Sequence, residues 1–452
     1  MIGKEKAMKI LKDTLKKSDA DKTELLLMGH HHFLTRYANS QIHQNTFEEN
    51  ATLYIKVTHN QKIGVTKLNN FHPRKIEKAL ETAMEIAKQQ EIIPDLKKIP
   101  QPEKFKKLKS FFPRTRDISA EEKALVIQDM ISRAHGDRLS LSGAFYTGQN
   151  ELAILNSQGV EGYFNGTKAN IAVIASGNDV NGYAAASSRN VDDIDHIKLI
   201  EEALEGAKKY PVKELEPGEY PVILDEYAVS ELVMYLAEMA FEINSAEEGK
   251  SFVPHYVNEK LFPEQVSIYD DALDPHTFSM PFDYEGVAKK RVDFIKKGVI
   301  TGDLAYNNYM AQKQGIESTG HGLPPGNGIS NSASFHLIME PGKASQEELF
   351  EKMGTGLYVK RFHYLTTVHP LKTILSGMTR DGFFWVENGK ITHRVHNMRF
   401  TQSIIEALKS VKEAAQDRKL IWFRDFSVNF PITTIIPKLF IEKFNFTGRT
   451  EF

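Results

Sequence analysis

The stretch Ser376-Gly-Met-Thr-Arg-Asp-Gly-Phe-Phe-Trp-Val-Glu-Asn-Gly-Lys-Ile391 reads as a β-hairpin. Gly377 and an Arg380-Asp381-Gly382 turn lead into an apolar strand over residues 383–386. Glu387-Asn388-Gly389 then reverses the chain, because Asn-Gly accepts the positive φ angles of a two-residue hairpin turn. An adjacent arginine and aspartate at such a place are either plain surface charge or a recognition pair, and the hairpin alone does not separate the two.

Working outward, the C-terminal half is mostly strand and loop. Helical spacing marks residues 228–243, 346–353 and 402–416. Gly320-His-Gly-Leu-Pro-Pro-Gly-Asn-Gly328 is compatible only with a loop. Leu215-Glu-Pro-Gly-Glu-Tyr-Pro221 breaks any regular element and sets the expected boundary between domains at 1–215 and 216–452. In the first half, residues 4–17 and 73–90 have one apolar helical face each, the second opening on Pro73. Ser119-Ala-Glu-Glu122 has the form of a capping box and opens a helix to about residue 134. Residues 194–209 form a further helix. Strands are expected at 24–28, 33–37, 51–58, 62–67, 139–146, 151–156, 159–165, 168–176 and 182–188, with Asn165-Gly166 as a turn. The proline- and lysine-rich segment 94–118 wraps the surface. Segregated helices and strands of this kind predict an α+β protein of two domains.

At 452 residues the chain exceeds one ordinary core. Its 57 basic and 59 acidic side chains nearly cancel, so no long-range field favours nucleic acid or an acidic membrane. The sequence contains no cysteine, which excludes disulfides, thiolate ligands and cysteine nucleophiles together. Charges run through the first residues where a signal peptide needs an apolar segment, and no apolar run reaches membrane-helix length. A soluble, cytoplasmic protein is the expectation.

Sixteen histidines invite a search for metal ligands. In a strand His30 and His32 converge on one face while His31 points away; a partly exposed strand explains the same run. His363, His369, His393 and His396 show no ligand spacing, and no His-Glu-x-x-His is present. No Gly-x-Ser-x-Gly elbow supports a serine nucleophile. Ser318-Thr319-Gly320 is either a structural turn or a backbone contact for an extended peptide.

The motifs nevertheless assemble. Leu34-Thr-Arg-Tyr-Ala-Asn-Ser-Gln-Ile-His-Gln-Asn45, Asn156-Ser-Gln-Gly-Val160, Pro217-Gly-Glu-Tyr-Pro-Val-Ile-Leu224, Asp283-Tyr-Glu-Gly-Val287, Lys297-Gly-Val-Ile300, Gly315-Ile-Glu-Ser-Thr-Gly320 and Phe444-Asn-Phe-Thr-Gly448 follow one another in the order of a known family, with the hairpin between the last two. The chain resembles the TldD/PmbA metallopeptidases, PmbA being also called TldE. In that family's metal-binding branch, the helix after Pro-Gly-Glu-Tyr-Pro carries His-Glu-x-x-x-His, and a distant cysteine adds a ligand. Here Met234 and Met239 stand at the histidine positions and Tyr235 at the glutamate position. A thioether does not replace imidazole on zinc.

The resemblance therefore implies the TldE-like branch: a two-domain protomer without its own zinc, paired in a heterodimer with a zinc-bearing TldD-like chain, or with itself. Peptides or unfolded polypeptide are the implied substrate, and no residue of this chain is expected to be catalytic. Ser318, Thr319, Gly320, His321, His363, Arg380 and Asp381 are the candidates for lining the shared cavity. Two other possibilities stay open. One is a stand-alone peptidase using metal on His363, His369, His393 or His396; the other is a peptide-binding dimer without proteolytic role.

Overall fold

The computed structural model describes residues 1–96, 98–136, 138–178, 180–423 and 432–449. The first half is one antiparallel sheet built from β1 (Lys22–Ala38), β2 (Gln41–His59), β3 (Lys62–Leu68), β4 (Ser140–Asn156), β5 (Glu161–Gly177) and β6 (Val180–Ser188), in the order β3-β2-β1-β4-β5-β6. Alternation then divides the strands into two faces. Leu25, Leu27, Leu53, Ile55, Phe145, Ile171 and Val173 point to the face covered by helices α1 (Lys4–Leu15), α2 (Pro73–Gln89), α4 (Ala120–His135) and α5 (His196–Gly206). Leu26, Met28, Leu152, Ile154 and Phe164 point the other way and pack on Met280, Phe282, Tyr284 and Phe335 of the second half. Between α2 and α4 the chain is extended apart from the short α3 (Pro113–Asp117), and Lys97 lies outside the described residues.

The second sheet contains β7 (Val212–Lys213), β8 (Gly218–Leu224), β9 (Ile268–Asp270), β10 (Val292–Lys296), β11 (Val299–Ile300), β12 (His336–Met339), β13 (Gly356–His369), β14 (Ile374–Glu387), β15 (Lys390–Val395), β16 (Met398–Ser403), β17 (Val411–Phe423) and β18 (Ile432–Arg449). Its order is β11-β10-β9-β12-β18-β8-β13-β14-β15-β7; β16 joins β14 to β18, and β17 also pairs with β18. Among the described residues this half also holds the α-helices α6 (Glu226–Ala240), α7 (Ile243–Glu247), α8 (Asn308–Gln314), α9 (Gln346–Met353) and α10 (Ile404–Lys409). The architecture is α+β, as the sequence predicts. Among the described residues no helix is long and apolar enough to cross a membrane.

Three local expectations are corrected. Arg380-Asp381-Gly382 is not a turn: β14 runs through it, and the positive φ angles of Asp381 (53°) and Gly382 (143°) make an irregularity in the pairing with β13. The hairpin turn proper lies at Asn388 and Gly389, both with positive φ. The helix expected over 402–416 stops at Lys409, and β17 begins two residues later. Many short strands are halves of longer ones, with Asn165-Gly166 inside β5 paired to Asn150 and Glu151.

Candidate functional site

Strand β8 lies between β13 and β18, and Asp225 at its end caps α6. The helix is apolar almost all round, so most of its residues are buried in the core of this half. Where it comes free, Met234, Glu238 and Met239 face a cavity of about 630 Å³. Glu242, Lys250, Leu323, Asn331, Phe335, Thr367 and Pro370 complete its walls. Tyr235 turns aside, its hydroxyl donating to the Leu365 carbonyl at 3.0 Å, and so braces α6 against β13. Two thioethers and a phenol already committed to a carbonyl are not a zinc donor set. The residues on this helix do not fit the metal of the catalytic branch. Burial raises the Glu242 carboxyl well above the ordinary carboxylate range, and the exposed Glu238 stands beside it on the cavity wall.

Of the residues expected at the cavity, Ser318, Thr319, Gly320 and His321 form one hydrogen-bonded unit. The Ser318 hydroxyl donates to the Tyr306 carbonyl at 3.1 Å and accepts from the Gly320 N–H at 3.2 Å. Thr319 Oγ1 accepts from the Tyr306 N–H at 2.7 Å and lies 2.9 Å from His321 Nδ1. His321 Nε2 is 3.0 Å from Asp270 Oδ1, with both side chains fully buried. Burial and the nearby Lys289 lower the His321 pKa. Burial opposes ionisation of Asp270, yet His321 beside it holds that carboxyl well below its ordinary value. His321 thus spans the two, Nε2 facing Asp270 and Nδ1 facing Thr319, whose hydroxyl donates to the Tyr306 carbonyl at 3.1 Å. The order Thr–His–Asp imitates a nucleophile relay, but it is sealed inside the fold and anchors the start of the glycine loop, which reaches the cavity at Leu323.

His363, Arg380 and Asp381 are also brought together. The Arg380 guanidinium meets His363 Nε2, and its Nε is 3.6 Å from Asp381 Oδ2. Asp381 is held more closely by Arg361, whose Nε donates at 2.8 Å and whose guanidinium lies 4.1 Å from the Tyr183 ring centre. The pair thus ties the β14 irregularity to the first sheet. The other histidines considered for a stand-alone metal site are scattered: His369 Nδ1 accepts from the Lys372 N–H, His393 Nδ1 lies against Thr392, and His396 lies 3.4 Å from Glu214.

Asp381 also borders a second cavity, of about 460 Å³, that sequence reasoning missed. There Lys360 Nζ lies 2.7 Å from Glu202 and 3.2 Å from Asp225, and Lys419 lies 2.8 Å from Glu202. Lys438 lies 2.7 Å from Glu226 and 3.5 Å from Asp225. Burial alone would raise the Asp225 carboxyl, but Lys360 and Lys438 hold it far below its usual value. Burial and the charge of Asp225 push Glu226 up to about 6. The partners come from α5, α6, β13, β17 and β18, so no local motif could have announced them.

Residues 217–448 match the family model described as the PmbA/TldA metallopeptidase C-terminal domain, and residues 113–209 match the central domain of the same family. The chain belongs to the PmbA/TldD family. Among relatives, the metalloprotease PmbA of Escherichia coli O157:H7 is 25% identical over 412 residues, covering 85% of this chain and 84% of that protein. A zinc metalloprotease TldD homolog of Saccharolobus solfataricus is 27% identical over 211 residues, or 45% of this chain and 44% of its own length. Among solved structures, TldE from Thermococcus kodakarensis superposes with a TM-score of 0.87 at 20% identity, covering 98% of this chain and all of that one. At that identity the likeness speaks for the PmbA/TldD fold.

Proposed function

We propose that this protein is a TldE-like subunit that shapes a peptide-cleavage chamber with a zinc-bearing, TldD-like partner, and does not itself cut. The observation that carries this reading is α6, the helix that holds the metal in the catalytic branch. Here it offers Met234 and Met239 to a cavity wide enough for side chains of an extended peptide, while Tyr235 is spent on the Leu365 carbonyl. Met234 and Met239 give that wall soft, adaptable apolar contacts, which suits many peptide sequences better than one. The work is assigned to the cytoplasm, and the partner supplies both the zinc and the activated water.

Co-purification with a TldD-like chain carrying His-Glu-x-x-x-His tests this. Stable association and faster cleavage of an unfolded polypeptide than by the partner alone are expected. The pair should keep its activity when Met234 and Met239 are replaced by Leu. No association and no gain over the partner would overturn the reading, as would zinc-dependent cleavage by the lone chain.

A further inference from the structure

On β1, His30 and His32 point to the same face, and the register sets Glu48 of β2 directly opposite His32. One nitrogen of each imidazole and one oxygen of Glu48 all lie within 4.8 Å of one another. His30 Nε2 is 3.0 Å from Glu48 Oε1, and the two rings stack with centroids 4.5 Å apart. We propose that these three side chains form a binding site for one divalent transition-metal ion, separate from α6.

Three features favour an ion over a simple His–Glu pair. Two neutral imidazoles with one carboxylate are the donor set taken by zinc, cobalt, nickel and iron(II), and one that magnesium and calcium avoid. The ring of His32 is positioned: its Nε2 lies 3.2 Å from Asn150 Oδ1, the kind of outer contact that orients ligating histidines. Space for that ring exists only because residue 148 is glycine, where an added Cβ would come 2.8 Å from His32 Cδ2. In a tetrahedral zinc site, donors stand about 3.4 Å apart. His30 and Glu48 already stand 3.0 Å apart, so the closure needed among the three donors is at most about 1.4 Å, and the side chain of Glu48, 66% exposed against 7% for His30, is free to adjust. The fourth position then faces solvent on the Glu48 side and takes water.

The test uses the untagged chain alone, so it is independent of the partner proposed above. Zinc is titrated calorimetrically, and cobalt(II) is followed by its visible absorption. About one equivalent of zinc is expected, with the cobalt bands of a four- or five-coordinate N/O site. His30→Gln with His32→Gln should abolish binding, and Glu48→Gln should weaken it about tenfold or more. Glu48→Gln lies at an exposed position and leaves folding intact, so it remains decisive if the histidine variants misfold. His363→Gln with His396→Gln should change nothing. Less than half an equivalent of bound zinc at a tenfold excess of metal would overturn the proposal, as would binding unaltered by Glu48→Gln.

Discussion

Two buried residues place definite demands on pH. Lys123 is 1% exposed, its ammonium lies over the rings of Phe33 and Phe145 at 5.0 and 5.6 Å, and among the described residues it has no hydrogen-bond partner. Burial lowers its pKa to about 7, while the rings return part of the cost. A lysine depressed in the folded state binds fewer protons there than when unfolded, so its penalty is relieved as pH rises from 7 towards 10. Lys123→Met should therefore raise the melting temperature at pH 7, and its advantage should shrink by about 1–2 kcal/mol by pH 9. His336 acts in the opposite range. Burial lowers its pKa to about 4, so stability is complete above the unfolded value near 6.5 and is lost as pH falls towards 4. Between pH 7 and 5 this amounts to about 2 kcal/mol, and His336→Leu should flatten that part of a melting curve taken against pH.

At the level of elements, the first sheet carries its helices with no clearance. A Cβ on Gly182 of β6 would lie 1.9 Å from the Ala203 carbonyl oxygen of α5, and one on Gly64 of β3 would lie 1.8 Å from Ala83 O of α2. Each close neighbour is backbone and cannot rotate away. Gly182→Ala should cost at least about 2 kcal/mol in chemical denaturation, whereas Ala185→Gly on the same strand should cost less.

These elements also show what the sequence could and could not disclose. Helices α2 and α4 were legible nearly to the residue because Pro73 and the Ser119–Glu122 capping box are local signals. The long strands were not, since polar runs such as His30-His31-His32 look like breaks until β4 supplies their partners. Residues 411–416 imitated a helix because Val411, Ala414 and Ala415 are buried at helical spacing; register shifts in the pairing with β18 produce that spacing within a strand. For the site, the family was visible in the sequence. The lysine–carboxylate cluster was not, because partners such as Lys419 and Glu202 are 217 residues apart and no spacing rule connects them.

For the whole molecule, that cluster is one polar fastening between the halves, beside others such as Arg394 on the carbonyls of Gly206 and Asn181. Glu202 belongs to the first-half helix α5, and both lysines that grip it belong to the second sheet. Glu202→Gln leaves Lys360 with Asp225 and leaves Lys419 without its carboxylate. A loss of about 2 kcal/mol is expected, below the range for fully buried pairs because Glu202 is 30% exposed. Calorimetry should show a lowered melting temperature, while the apolar contact through Met280 and Phe282 and the Arg394 hydrogen bonds continue to couple the sheets.

Strand β18 has a further consequence, one of timing. It follows every other strand of its sheet in sequence, yet it lies at the centre, bonded to β12, β8, β17 and β16. While the chain is being synthesised, β8 and β12 can only wait, with Leu224 and Ile338 unprotected, until residues 432–449 leave the ribosome. The first sheet has all of its strands by Ser188 and is free to close long before. Newborn molecules should thus pass through a stage with one finished half and one open half, and holdase chaperones should be found on the second.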